Sequence, residues 1–204
     1  RPRQLALRQW ALLSSAFLVT WLAAAVRLTG PVLLAALGET FAERAGILNV
    51  GIEGTILLGA LAAYLVSHAT GTPVLGLAAA LAAGLVSNLL LAVLYVSVRA
   101  SQVVAGIVFN GLALGVASFT YRLTMGEVAN PEPVAMFRPL DFGALGRLPV
   151  VGAILFSHTA LLYLTLACVA VASWVLFRTE FGLRLRAVGE NPKAAEAAGI
   201  SVTR

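Results

Sequence analysis

The sequence predicts an all-α fold, a polytopic bundle of about six transmembrane helices. Three observations carry that prediction. First, 60% of the 204 residues are hydrophobic and only 11% are charged, which leaves too little polar surface to wrap a water-soluble globule. Second, runs rich in Ala, Leu and Val recur at close to the roughly 20 residues that a helix needs to cross about 30 Å of hydrocarbon. Third, the 14 basic residues stand at the ends of those runs rather than in one stripe, a pattern that fits a membrane protein and excludes nucleic acid as a partner. A lone cysteine, Cys168, rules out an intrachain disulfide framework and a Cys-based metal cluster, so helix packing must supply the stability.

The first span is expected from about Gln9 to Val26, bracketed by Arg8 and Arg27. No small-residue cleavage site follows it, so it reads as a retained span and not as a signal peptide. Gly30-Pro31 predicts a tight turn that reverses the chain, because proline fixes φ and lacks a donor while glycine accepts almost any backbone geometry. The apolar piece from Pro31 to Gly38 is then only about 12 Å long, too short to cross alone. Continuing it through Glu39 to Leu48 gives about 27 Å and puts Glu39, Glu43 and Arg44 at membrane depth. Further spans are expected at about Gly51–His68, Pro73–Val98, Val103–Tyr121 and Leu155–Phe177.

Basic residues in the short flanks orient the bundle. The inner side takes Arg1, Arg3, Arg8, Arg99, Arg178, Arg184, Arg186, Lys193 and Arg204, and the outer side Arg27, Arg122, Arg138 and Arg147. Both ends are thereby expected in the cytoplasm. The segment from Arg122 to about Ile154, with Pro131, Pro133, Pro139 and Pro149, reads as an irregular outer cap. The chain reads as a single transmembrane domain, 1–204, with a cytoplasmic loop at 178–204. It begins without methionine and stops just after a polar helical loop, so truncation at both ends is expected.

Two stretches carry the functional signal. In the first, Gly46, Gly51 and Gly54 meet Glu39, Glu43, Arg44, Asn49 and Glu53 near membrane depth. Charges there cost several kcal/mol each and normally face a bundle interior, a cavity or a partner charge. Glu39 and Glu43 share a helix face, with Arg44 adjacent to pair with one of them. The glycines with Asn49 would let the helix unwind where backbone groups can meet a ligand; the same stretch could also be a plain interhelical turn. Gln102 and Asn110 are amides near or inside a span, able to bond a polar solute or a neighbouring helix. Gly111 and Gly115, and the row Ala80, Gly84 and Asn88, read as packing faces. His68 and His158 are isolated, which argues against a metal site, and Trp10, Trp21 and Trp174 read as anchors or packing.

The second stretch, Glu180 to Gly199, contains a short helix with its punctuation written out: Asn191 at the N-cap, Pro192 at the first helical position and Gly199 as the stop. So short a helix needs a packed partner surface. The small face of Ala194, Ala195, Ala197 and Ala198 suits a groove, with Arg184 and Arg186 placed for acidic partners; a solvated loop obeying the positive-inside rule is the alternative. The only lysine, Lys193, lies in no phosphate-cradling G-x-x-x-x-G-K-[ST] loop, and no catalytic or metal constellation is visible. No enzyme, catalytic residue, metal or bound cofactor is expected.

Ala42-Glu43-Arg44-Ala45-Gly46-Ile47-Leu48-Asn49-Val50-Gly51-Ile52-Glu53-Gly54 and Arg186-Ala187-Val188-Gly189-Glu190-Asn191-Pro192 resemble the permease subunits of bacterial ABC importers of the branched-chain amino acid, ribose and nucleoside type. Ser101-Gln102-Val103-Val104-Ala105-Gly106 and Phe181-Gly182-Leu183-Arg184-Leu185-Arg186 look most like nucleoside or simple-sugar permeases. The resemblance covers nearly the whole chain from about Pro31. It implies a type II-like importer fold in the bacterial plasma membrane. Two permeases, identical or homologous, would form a pathway in the lipid, two cytoplasmic ATPases would bind the ATP, and an extracytoplasmic binding protein or lipoprotein would deliver substrate. Arg184, Arg186, Gly189, Asn191, Pro192, Ala194, Ala195 and Gly199 would then couple to the ATPase, and Glu39, Glu43, Asn49, Glu53, Gln102 and Asn110 would line or gate the pathway. Family members carry further spans after this loop, so the pathway would be incomplete here. On general membrane principles two competitors stand beside this reading: an ion-coupled secondary carrier using Glu39, Glu43 and Glu53, and a non-transporting scaffold.

Overall fold

The computed structural model describes residues 2–126 and 133–202, with side chains from Ala16 onward. Arg1, Pro131 and Arg204, used in the sequence analysis, lie outside the described residues. The elements are α1 (Pro2–Arg44), α2 (Ile52–Thr70), α3 (Pro73–Ala92) continuing into a π-helical turn (Val93–Ser97), α4 (Gln102–Met125), α5 (Val151–Leu155), α6 (Ala160–Arg178), α7 (Glu180–Glu190) and α8 (Pro192–Ala197). Among the described residues five helices are long and apolar enough to cross a membrane: Ala16–Arg44, Ile52–Thr70, Pro73–Ser97, Gln102–Met125 and Ala160–Arg178. Their apolar side chains stay largely exposed, Leu28 at 69% and Leu85 at 71% for example, as expected when lipid rather than water is the outer solvent.

The expected number of spans therefore falls from six to five. The turn at Gly30-Pro31 does not form, and α1 runs unbroken through Pro31. A proline deletes one backbone hydrogen bond, whereas a turn exposed to lipid would strand several groups, so continuing the helix is the cheaper solution in hydrocarbon. Gly30 serves close approach instead: it is buried, and a methyl group there would lie 3.3 Å from Leu162 Cδ1 of α6. The last span also begins later than expected, at Ala160, after the short α5 and a bend at Phe156–His158.

The chain divides into two compact units, Arg1–Leu34 with Phe137–Val171, and Ala35–Met136 with Ala172–Arg204. In the first, the segment before α6 is irregular and is held by local bonds. His158 is buried, its Nε2 lies 2.8 Å from Ile154 O, and its carbonyl accepts from Leu140 N at 2.9 Å. Phe142 packs edge-on against Phe156 and Tyr163, and the Tyr163 hydroxyl donates to Leu155 O at 2.8 Å.

In the second unit, α2 and α3 form a hairpin across Gly71, whose φ of +67° closes α2 in the left-handed conformation. A methyl on Gly76 would come 2.8 Å from Ala63 O, and one on Gly59 3.6 Å from Ala80 O, so small residues set the α2–α3 separation. α4 meets the start of α2 at Gly106. The core sits there too: Leu91, Tyr95 and Phe109 are buried and pack with Ile47, Leu58, Leu94 and Ala105. Gly111 and Gly115, expected as a packing face, have nothing within 4 Å of the place a methyl group would occupy, so that face is unused among the described residues.

Gly106→Val should therefore lower the unfolding midpoint of the detergent-solubilised protein by several degrees. The new carbon begins 2.7 Å from Val50 Cβ and 2.8 Å from Gly51 N, an overpacking that costs about 1–3 kcal/mol or more. Gly111→Ala and Gly115→Ala should leave the midpoint within error, and thermal unfolding of the three side by side checks both statements.

Candidate functional site

All six predicted pathway residues belong to the second unit, and the structure assigns them different jobs. Between α1 and α2 the chain breaks into a turn, Ala45–Gly51, closed by Gly46 at φ +82°. α2 starts with Gly51 at its N-cap, a residue with no side chain to offer the first-turn amides. Other helices supply what is missing. Glu39 of α1 accepts the Asn49 amide at 2.9 Å through Oε1. Gln102, at the start of α4, accepts the Leu48 amide at 2.7 Å. Asn110, two turns further along α4, accepts the Gly54 amide at 2.8 Å and donates to Val50 O at 2.9 Å. Asn49 in turn donates to Asn88 of α3 at 3.2 Å.

Gln102 and Asn110 thus spend their amides on the backbone of a neighbouring segment, the second of the two uses open to them on sequence grounds. Glycines make that approach possible. A methyl on Gly51 would fall 2.7 Å from Leu91 Cδ1, and one on Gly54 2.9 Å from Ala113 Cβ and Asn110 Oδ1. Among the described residues Glu39 Oε2 and Asn49 Oδ1 are buried without a hydrogen-bond partner, so the junction keeps polar capacity after its own amides are served. Glu43 and Glu53 are exposed and do not join the cluster. Arg44 does not pair with Glu39 or Glu43 as expected: among the described residues the ion pair is Arg184 with Glu180 at 3.2 Å. Arg44 lies over the Phe177 ring instead, 5.9 Å from its centroid.

Arg186 shares that ring at 5.3 Å and donates through Nε to Gly182 O at 3.3 Å. It belongs to α7, a helix where the sequence analysis expects only a loop. Thr179 caps α7 by accepting from Gly182 N at 3.2 Å, and Phe181, Leu185 and Val188 recur at helical spacing, the signal that could have found it. The short helix after it is as expected: Asn191 Oδ1 accepts from Ala194 N at 3.1 Å, Pro192 opens α8, and Gly199 at φ +81° ends it while Ile200 N reaches back to Ala195 O at 2.9 Å. Ala195 is 4% exposed and so is enclosed by its own chain, which removes it from a docking face. Ala194, Ala197, Ala198 and Arg184 remain exposed.

α7 reaches the junction through glycine. A methyl on Gly189 would collide with Arg44 O and come 3.0 Å from Gly46 N, and one on Gly46 would sit 3.4 Å from Gly189 Cα. Backbone therefore rests on backbone between the polar segment after α6 and the turn that leads into the junction.

A multi-pass helical membrane protein, with a polar junction between its first two spans and a capped polar helix pair after its last, has a build that suits a transport permease. The family comparison agrees, and the chain belongs to the branched-chain amino acid transport system / permease component family, whose model matches residues 10–204. It is 40% identical over 182 residues to the guanosine ABC transporter permease protein NupQ of Bacillus subtilis, covering 84% of this chain and 56% of that protein. It is 37% identical over 182 residues to the nucleoside ABC transporter permease protein NupC of Lactococcus lactis, with the same two shares, 84% and 56%. The chain thus spans a little over half the length of the curated relatives it matches. No solved structure matches. The family is one of transport components, not enzymes, and it supports the permease reading rather than the ion-coupled carrier reading of Glu39, Glu43 and Glu53.

Asn110→Ala should destabilise the protein rather than spare its assembly, because it strands the Gly54 amide and the Val50 carbonyl, at about 1–3 kcal/mol for each unpaired group. Gln102→Ala should cost less, with one bond lost. Unfolding in detergent should rank wild type above Gln102→Ala above Asn110→Ala.

Proposed function

We propose that this chain is part of the membrane permease of an ATP-driven importer for nucleosides, with simple sugars the next class. The observation that carries this is the 40% identity to a guanosine permease across 84% of the chain, and the 37% identity to a nucleoside permease supports it. The permease supplies the path and no chemistry. ATP is bound and hydrolysed by cytoplasmic ATPase subunits, which shift the permease between outward- and inward-open states. A second permease copy or homologue completes the pathway in the lipid, and an extracytoplasmic binding protein delivers the solute.

On this reading α7 and α8 dock on the ATPase through exposed Arg184, Ala194 and Ala198. The Arg184–Glu180 pair is solvent-exposed and so weakly held that Arg184 can exchange Glu180 for an acidic partner. Asn191, Pro192 and Gly199 keep α8 in shape, and Gly189 rests on the turn at Gly46, which leads to the pathway junction held by Glu39, Asn49, Gln102 and Asn110. Movement at the ATPase then reaches the junction through a contact with no side chain to yield.

Proteoliposomes holding the full-length permease with its ATPase should take up guanosine only when ATP is supplied, and a protonophore should not stop them. Ala194→Arg should cut co-purification of the ATPase about tenfold while leaving membrane insertion unchanged. Uptake that follows the proton gradient without ATP would overturn the proposal.

A further inference from the structure

Between the end of α1 and α7 lies a cavity of about 370 Å³, lined by Glu43, Arg44, Arg186, Gly189 and Glu190. Its volume falls within the roughly 300–1,000 Å³ of small-molecule sites. Its charges are not paired with one another. Glu190 stands four residues after Arg186 on α7, the spacing of a helical ion pair, and Glu43 adjoins Arg44, yet among the described residues the ion pair is Arg184 with Glu180. The two guanidiniums share the Phe177 ring instead. Arg186 spends Nε on Gly182 O and keeps its terminal donors, and among the described residues Arg44, Glu43 and Glu190 make no side-chain hydrogen bond.

Neighbouring residues set the level of this cavity in the membrane. Arg44 and Arg178 are the last residues of two apolar crossings, which puts Phe177 and the two arginines at the height of lipid headgroups. Phe177 and Trp174, one turn before it on α6, are 52% and 61% exposed, so an apolar strip leads from the cavity toward the hydrocarbon.

We propose that this cavity holds the headgroup of a phosphatidylethanolamine, with its phosphate between Arg44 and Arg186 and its ammonium against Glu43 and Glu190. The inference rests on the membrane spans and not on the importer reading. Guanidinium forks match phosphate oxygens bidentately, and basic pockets beside membrane helices take lipid headgroups. Two like charges at one ring repel until an anion comes between them. A purely anionic headgroup leaves the two carboxylates unmatched, and a choline headgroup has no N–H to give them. A phosphodiester that carries a primary ammonium answers all four charges. Its acyl chains have Phe177 and Trp174 to lie along, which favours a lipid over a soluble phosphodiester. Once bound, the headgroup ties Arg44 to Arg186 beside the contact of Gly189 with Gly46.

The test is lipid binding by the full-length permease in detergent, read by native mass spectrometry and by the unfolding midpoint as phosphatidylethanolamine, phosphatidylglycerol or phosphatidylcholine is added. Wild type should retain phosphatidylethanolamine about fivefold over either of the others, and its midpoint should rise with that lipid. Arg44→Gln and Arg186→Gln should each weaken this binding about tenfold. Glu43→Gln combined with Glu190→Gln, both at exposed positions, should turn the preference toward phosphatidylglycerol, which a purely structural role for these carboxylates does not produce. Glycerophosphoethanolamine, the same headgroup without acyl chains, should bind about tenfold more weakly than the lipid. Equal retention of the three lipids, wild-type binding in the arginine variants, or an unchanged preference in the double glutamine variant would overturn the proposal. Glycerophosphoethanolamine binding as tightly as the lipid would overturn the membrane source of the ligand.

Discussion

A buried backbone amide or carbonyl left without a partner costs about 1–3 kcal/mol, and the break between α1 and α2 strands a run of them. Meeting that demand fixes much of the second unit. Glu39 sets the rotation of α1, because its carboxylate must reach Asn49 N. Gln102 and Asn110 set that of α4, because two amides two turns apart must both find the 48–54 backbone. To bring Gln102 there, the chain leaves α3 through a π-helical turn and holds Arg99 at φ +58°, a conformation non-glycine residues rarely adopt. Strain at one residue is offset by several satisfied donors at the next.

The spans were legible in the sequence because bilayer thickness is a length rule: α2, α3 and α4 begin and end within a few residues of expectation. Gly30-Pro31 misled because turn chemistry learned in water assumes that water will solvate the exposed backbone, which lipid does not do. Asn49, Gln102 and Asn110 were legible as polar groups in an apolar setting, but not as caps. The missing signal was Gly51: a helix that opens on glycine and Ile52 has no local cap, so its amides must be met from elsewhere. Ala195 and Arg186 read as surface by residue type and spacing, and only the tertiary structure shows one enclosed and the other folded back on Phe177. The identity of the solute is not written in composition or periodicity at all, since hydrogen-bonding amides serve backbone and ligand alike.

Glycine does a second job in the same region. Gly51, Gly54 and Gly106 bring α2 and α4 so close that Asn110 can span the seam with both its donor and its acceptor. Were any of them alanine, the helices would stand off and the amide bonds would lengthen past use. The small residues and the amide clamp are therefore one device, and neither closes the seam alone.

The contact between α7 and the Arg44–Gly46 turn combines a stiff element and a soft one. Gly189 against Arg44 O and Gly46 N has no rotamer to change, so any shift of α7 normal to that contact must move the turn. Beside it, Arg44 and Arg186 share the Phe177 ring at 5.9 and 5.3 Å. Two like charges at one ring repel, and each is held by about 0.5–1 kcal/mol of cation–π attraction where exposed, so either can leave and return at small cost. A stiff point with a yielding flank permits α7 to pivot about Gly189 while forbidding it to separate from the turn. Since that turn runs straight into amides held by Glu39 and Gln102, a pivot of α7 bears first on the two bonds, Asn49 N to Glu39 and Leu48 N to Gln102, that keep the junction in place.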